Sequence, residues 1–78
     1  MNAATEQAFR RADIEFLQLS SFALTATVAQ LQVKKAECIR RAYVFLDNPK
    51  KTLEEIEYAN MLLNFAECEL AGIELPRH

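Results

Sequence analysis

Apolar residues in the first half of the chain recur at helical spacing. Strand-like alternation never persists. Ile14, Leu17, Leu24, Val28, Leu31, Cys38 and Phe45 line up in a heptad-like stripe, while Phe16, Leu19, Phe22 or Ala23, Ala26, Ala29 and Val33 form another. Neither glycine nor proline occurs before Asn48, and the Ala, Leu, Gln, Lys, Arg and Glu content favours helix from about residue 5 to 46. This span reads either as one long helix or as two. Ser20-Ser21 offers an N-cap for a second helix, but no Glu or Gln stands three positions further on to complete a capping box.

LDNPKKT, residues 46 to 52, holds the strong turn signal, with Pro49 preceded by Asp47 and Asn48. The turn spans 47–51. Thr52-Leu53-Glu54-Glu55 then has capping-box form, which predicts a helix from Leu53 to about Ala71. Gly72 can close it in the left-handed conformation, and Pro76 in the tail, residues 72–78, prevents its resumption. In this helix Ile56, Ala59, Leu63, Ala66 and Leu70 form one apolar stripe, with Tyr58, Met61, Leu62, Phe65 and Cys68 beside it. An apolar arc wider than half the circumference requires two neighbours.

Length adds a second constraint. A helix from 53 to 71 is about 28 Å long at 1.5 Å per residue, so in a hairpin it covers only about residues 28 to 46 of the first arm. Residues 5 to 27 overhang, among them Phe9, Phe16, Leu17, Leu19, Phe22 and Leu24. Full burial of each large side chain is worth roughly 1.5 to 3 kcal/mol, so the overhang must fold back or be covered by a partner. The expected architecture is all-α: a helical hairpin with a long first arm, broken near Ser20-Ser21 if three helices form, associating into a helical bundle. Seventy-eight residues suffice for a single domain and bury proportionally little surface.

Composition sharpens this picture. Half the residues are apolar and a quarter charged, as in a folded chain. The uncharged segment FLQLSSFALTATVAQLQV, residues 16 to 33, approaches membrane-spanning length, but Gln18, Gln30, Gln32 and its Ser and Thr residues make it too polar to insert. Its small residues suit close helix packing instead. The net charge of −2 is unevenly spread, with a basic block at 34 to 51 and an acidic one from 52 onward that can neutralise each other across a hairpin. Charges at Glu6, Arg10, Arg11, Asp13 and Glu15 break up any early apolar leader, so a cytoplasmic location with Cys38 and Cys68 as buried thiols is expected. A lone His78 with two distant cysteines matches no zinc spacing, and neither metal nor cofactor is expected.

Candidate chemistry is sparse. No glycine-rich phosphate loop and no nucleophile with a plausible base is present, which argues against an enzyme. Glu54 and Glu55 suit the dipole of the helix they begin. Lys34, Glu37 and Arg41 read as an ion-paired surface, whereas Lys35 falls inside the first stripe, where Glu57 or Glu67 could pair with it or its ammonium could snorkel to water. The basic doublets supply an alternative nucleic-acid surface at Lys34, Arg40, Arg41, Lys50 and Lys51, though they form no single stripe. The arrangement from Gln30 to Leu70, with LDNPKKT at its centre, resembles the small co-chaperones that shield type III secretion needle subunits. That resemblance implies a chaperone-like role and transfers no site residue. The favoured reading is a non-enzymatic protein-interaction module, an adaptor or regulator that dimerises or binds a protein partner. Its expected contacts are Phe16, Leu19, Phe22 and Val33 on the long arm and Tyr58, Met61, Leu62 and Phe65 on the second helix, residues that would equally suit an intrachain core.

Overall fold

Thr27 breaks the long arm. In the computed structural model, which describes the backbone of residues 3–75 and the side chains of residues 10–75, it stands extended at φ −73° and ψ 163° between two helices. Its Oγ1 accepts from the Gln30 N–H at 3.2 Å, and its own N–H donates to Gln30 Oε1 at 2.9 Å. This is a complete capping box, formed by Thr27 with Gln30 and not by the serines. Ser20-Ser21, the expected break, lies inside an unbroken helix because no side chain three positions on can satisfy a cap there. Thr25, Thr27 and Val28 are β-branched and weak helix formers, so the sequence loses little helix propensity where it turns.

The chain is therefore a three-helix protein: α1 (Ala3–Thr25), α2 (Val28–Leu46) and α3 (Leu53–Asn64), with a π-helical turn over Phe65–Glu69. No strand occurs among the described residues. The side chain of Phe9, expected in the overhang, and Pro76, expected to end the last helix, lie outside the described residues.

The predicted turn after α2 forms as expected. Asp47 caps α2 by donating its N–H to the Tyr43 carbonyl, and Asn48 Oδ1 accepts from the Lys50 N–H at 3.0 Å in an Asx turn. Thr52 and Glu55 then exchange the two capping-box bonds at 3.2 and 3.1 Å.

α3 lies in the V made by α1 and α2 and packs against both. Arg11 pairs with Glu54 and Phe16 meets Phe65, so α1 and α3 run in the same direction. Tyr58 meets Phe45 and Lys35 reaches Leu70, so α2 runs against them. The overhang has folded back, supplying from this chain the second neighbour that the apolar arc of α3 demands. The core consists of Ala12, Cys38, Ala42, Ala59, Met61, Leu62, Phe65, Ala66 and Leu70. Four of these nine are alanines, which let backbones approach closely around Phe65 and Leu62, the largest fully buried side chains.

Two expectations about the last helix are corrected. The α-helix ends at Asn64, and the Leu70 N–H donates to the Phe65 carbonyl at 3.0 Å across a widened turn. Gly72 has no positive φ. Closure comes from Lys35 instead: its ammonium donates to the carbonyls of Leu70 at 2.9 Å and Ile73 at 2.6 Å. Neither Glu57, Glu67 nor open water is its partner, because a half-buried ammonium finds better geometry at the carbonyls of a helix end, where the helix dipole is also negative; the Leu70 carbonyl accepts from the Ile73 N–H as well, at 3.0 Å.

Two substitutions test these joints. Hydrogen bonds to a charged group contribute about 1.5 to 3 kcal/mol, so Lys35→Met is expected to lower unfolding free energy by about 2 kcal/mol in denaturant titration. An unchanged midpoint and slope would show that the Lys35 contacts contribute nothing. Thr27→Ala should cost about 1 kcal/mol through loss of the cap, measurable as a lower Tm with helical content retained.

Candidate protein interface

The eight expected contact residues part company in the folded chain. Phe65 has no exposed surface, Leu62 is 1 % exposed and Met61 7 %, so these three are consumed by the chain's own core. Phe16 and Leu19 are half-buried and packed on that core, Phe16 meeting Phe65 edge to face with ring centroids 6.1 Å apart. Tyr58 is half-buried at the other end, edge-on to Phe45 at 5.6 Å. Of the eight only Val33, at 61 %, and Phe22, at 36 %, count as exposed. They come together across the break in a groove of about 390 Å³ lined also by Ala29, Gln30, Lys34 and Glu37, with the Lys34 ammonium 5.2 Å from the Phe22 ring centroid.

The break at Thr27 splits the heptad-like stripe of the long arm. Leu31, Cys38 and Phe45, on α2, face the core or pack against it. Ile14, Leu17 and Leu24, on α1, face outward at 56, 67 and 86 % exposure, and Val28, just past the break, is 63 % exposed. In a continuous helix these residues would have shared one seam. With the chain bent, α1 turns its other stripe, Phe16, Leu19 and Ala23, toward α3. The exposed face was thus missed because the wrong helix boundary put it on the inside. The signal that would have found it is Thr27 followed by Gln30, a capping box in the middle of the uncharged stretch.

Charged residues share the other surfaces with the exposed side chains of Tyr43, Val44, Leu53 and Leu75. Glu37 pairs with Lys34 at 3.9 Å and Arg41 at 3.8 Å, matching the expected ion-paired face. Arg41 also donates to Tyr58 Oη at 2.6 Å, inside a cleft of about 270 Å³ where Arg11, Glu15, Glu54 and Glu55 meet Phe45. Burial, and next the neighbouring Glu15 carboxylate, push the Tyr58 hydroxyl above its ordinary range, while Arg41 pulls the other way. The cleft mixes both signs of charge. Arg40, Lys50 and Lys51 are exposed, Lys34 and Arg41 are ion-paired, and Lys35 is tied to carbonyls. The basic residues thus differ in environment from one doublet to the next.

No cluster of three metal-ligating side chains occurs among the described residues, and no described helix is long and apolar enough to cross a membrane. Comparison of the chain with protein-family models, with curated proteins and with solved structures finds no match.

The cysteines, both expected to be buried, differ. Cys38 is 1 % exposed, and burial pushes its thiol pKa up, with Lys34 opposing; Cys68 is exposed on the widened turn. The widening rotates Cys68 away from the apolar arc in which a regular helix would have placed it. Near neutral pH a thiol reagent should therefore modify Cys68 rapidly and Cys38 only as fast as the protein unfolds. Equal labelling rates in the folded protein, read by mass spectrometry, would contradict this packing. Because the raised Cys38 value favours the neutral thiol in the fold, its contribution to stability holds below the ordinary thiol range and declines as pH rises through it.

Proposed function

We propose that the chain is a non-enzymatic helical interaction module, an adaptor or regulator that works by laying the outward face of α1 against another helix. The observation that carries this reading is the exposure of Ile14, Leu17 and Leu24 on one face of one helix, at 56 to 86 %. A small protein tolerates scattered exposed aliphatics. Three in register at helical spacing on α1 amount to a strip suited to helix-on-helix binding.

The rest of the surface supports the same reading. Among its charged groups Arg11 pairs with Glu54, and Glu37 with both Lys34 and Arg41, and the cleft that holds Arg11, Arg41 and Tyr58 mixes ion pairs with an aromatic wall. The groove at Phe22 and Val33 adds a second apolar contact near the break. Fully covering each large aliphatic side chain returns roughly 1.5 to 3 kcal/mol, enough over several residues to offset part of the cost of association.

The test separates surface from core. Leu17→Lys combined with Leu24→Lys should leave helical content and Tm close to wild type, because neither side chain contributes to the core, and should abolish association measured as native mass of the protein with any stoichiometric companion. Phe65→Ala, by contrast, should destabilise by about 3 to 5 kcal/mol. A wild-type chain that is monomeric and companion-free when isolated from its source, with the double variant indistinguishable from it, would reject the interaction role.

A further inference from the structure

The outward face of α1 reads Ile14, Leu17, Ser21, Leu24, with spacings of three, four and three residues. That is the spacing of a coiled-coil seam, here with one small polar residue among three large aliphatics. Ser21 is exposed like its neighbours, so the seam carries a notch one turn from each flanking leucine.

We propose that this face binds the same face of a second copy of the chain, antiparallel, about a two-fold axis level with residue 19; the proposal rests on the interaction role argued above and names its occupant. In this register Ile14 lies opposite Leu24 of the second copy, and Leu17 lies opposite its Ser21. The same pairs recur on the other side of the axis. Each layer then contains a large aliphatic side chain, and each notch receives a leucine. The seam is complementary to its own reverse, as an interface of two identical surfaces must be.

Charge selects the same orientation. Arg10 and Asp13, both exposed, stand at the start of the seam, while Arg11 is paired with Glu54 of α3, and the segment from Phe16 to Val33 bears no charge. Antiparallel pairing carries the charged end of each helix past the Thr25 to Val28 end of the other, which is neutral. Parallel pairing would set Arg10 against Arg10 and Asp13 against Asp13, and would bring Ser21 to Ser21 in a layer without any large side chain. Like charges held opposite are destabilising, and a layer of two small hydroxyl residues leaves a void. Gln18, exposed beside the seam, is neutral and meets its own symmetry mate, an amide with both donor and acceptor. Nothing in the flanks opposes self-association.

The experiment uses the whole chain in a Cys68→Ser background, which removes the exposed native thiol. Sedimentation of this protein should show a monomer to dimer transition with rising concentration, lost in the Leu17→Lys, Leu24→Lys variant while helicity stays constant. Leu17→Cys and Ser21→Cys are then made separately, mixed and oxidised. Antiparallel pairing gives a disulfide-linked heterodimer in large excess over either homodimer, whereas parallel pairing links Ser21→Cys to itself and overturns the orientation. A chain monomeric at high micromolar concentration overturns the proposal altogether. If that monomer nevertheless forms a stoichiometric complex with a different protein, and Leu17→Lys with Leu24→Lys abolishes the complex, the interaction role stands and self-pairing falls. If no such complex exists, both fall.

Discussion

The close approach of α3 to its two neighbours is the contact on which the rest of the structure depends. Ala42, Ala59 and Ala66 have no exposed surface, and Ala12 closes the α1 side at 8 %. With only methyl groups at these points, the backbones come near enough for Phe65 and Leu62 to be enclosed completely. A larger residue at any of them would push a helix outward and open the space around the phenyl ring. The core is small, and its stability comes from tightness at a few places more than from total apolar volume.

Where α3 sits also decides what is left outside. The described chain measures 39 × 26 × 14 Å, and its thinnest dimension is that of two helix layers, since axes pack 8 to 10 Å apart and Cα atoms lie 2.3 Å from each axis. No helix is surrounded on all sides. α3 uses its wide apolar arc on α1 and α2 together, α2 turns Cys38 and Ala42 inward, and α1 commits the stripe through Ala12, Phe16 and Leu19. The second stripe of α1 has no intrachain surface left to cover it. Exposure of Leu17 and Leu24 is thus a consequence of the geometry, and the interaction role proposed for them grows from the same cause that makes the core work.

The last turn shows the cost of that arrangement. A regular α3 extended to Ala71 would keep its carbonyls aligned along the axis. The π-helical turn at Phe65–Glu69 instead accompanies a chain end whose Leu70 and Ile73 carbonyls face α2. A lysine there adds charge-assisted bonds to both, in the case of Leu70 beside the backbone bond that its carbonyl already accepts from the Ile73 N–H. Lys35 consequently links the middle of α2 to the end of the chain, a contact across thirty-five positions for Leu70 and thirty-eight for Ile73.

Much of this was legible in the residues alone. Helical periodicity defined an all-α chain, LDNPKKT and the Thr52 capping box located the second turn, and the wide apolar arc of α3 with its shortness beside the first arm required a third helix. Those features are local, or follow from lengths, so no fold need be known to read them. The Thr27 to Gln30 capping box was equally local and passed unread, because a break without Gly or Pro sends no composition signal. What only tertiary structure decided is which of two apolar stripes on α1 turns inward. Both are apolar enough to be core, and a bend over Ala26 and Thr27 reorients α1 as a body, so their fates are settled by docking against α3 and not by hydrophobicity. The same holds for Met61, Leu62 and Phe65, absorbed into the core, and for Lys35, whose carbonyl partners exist only once the chain end has widened and come to rest beside α2.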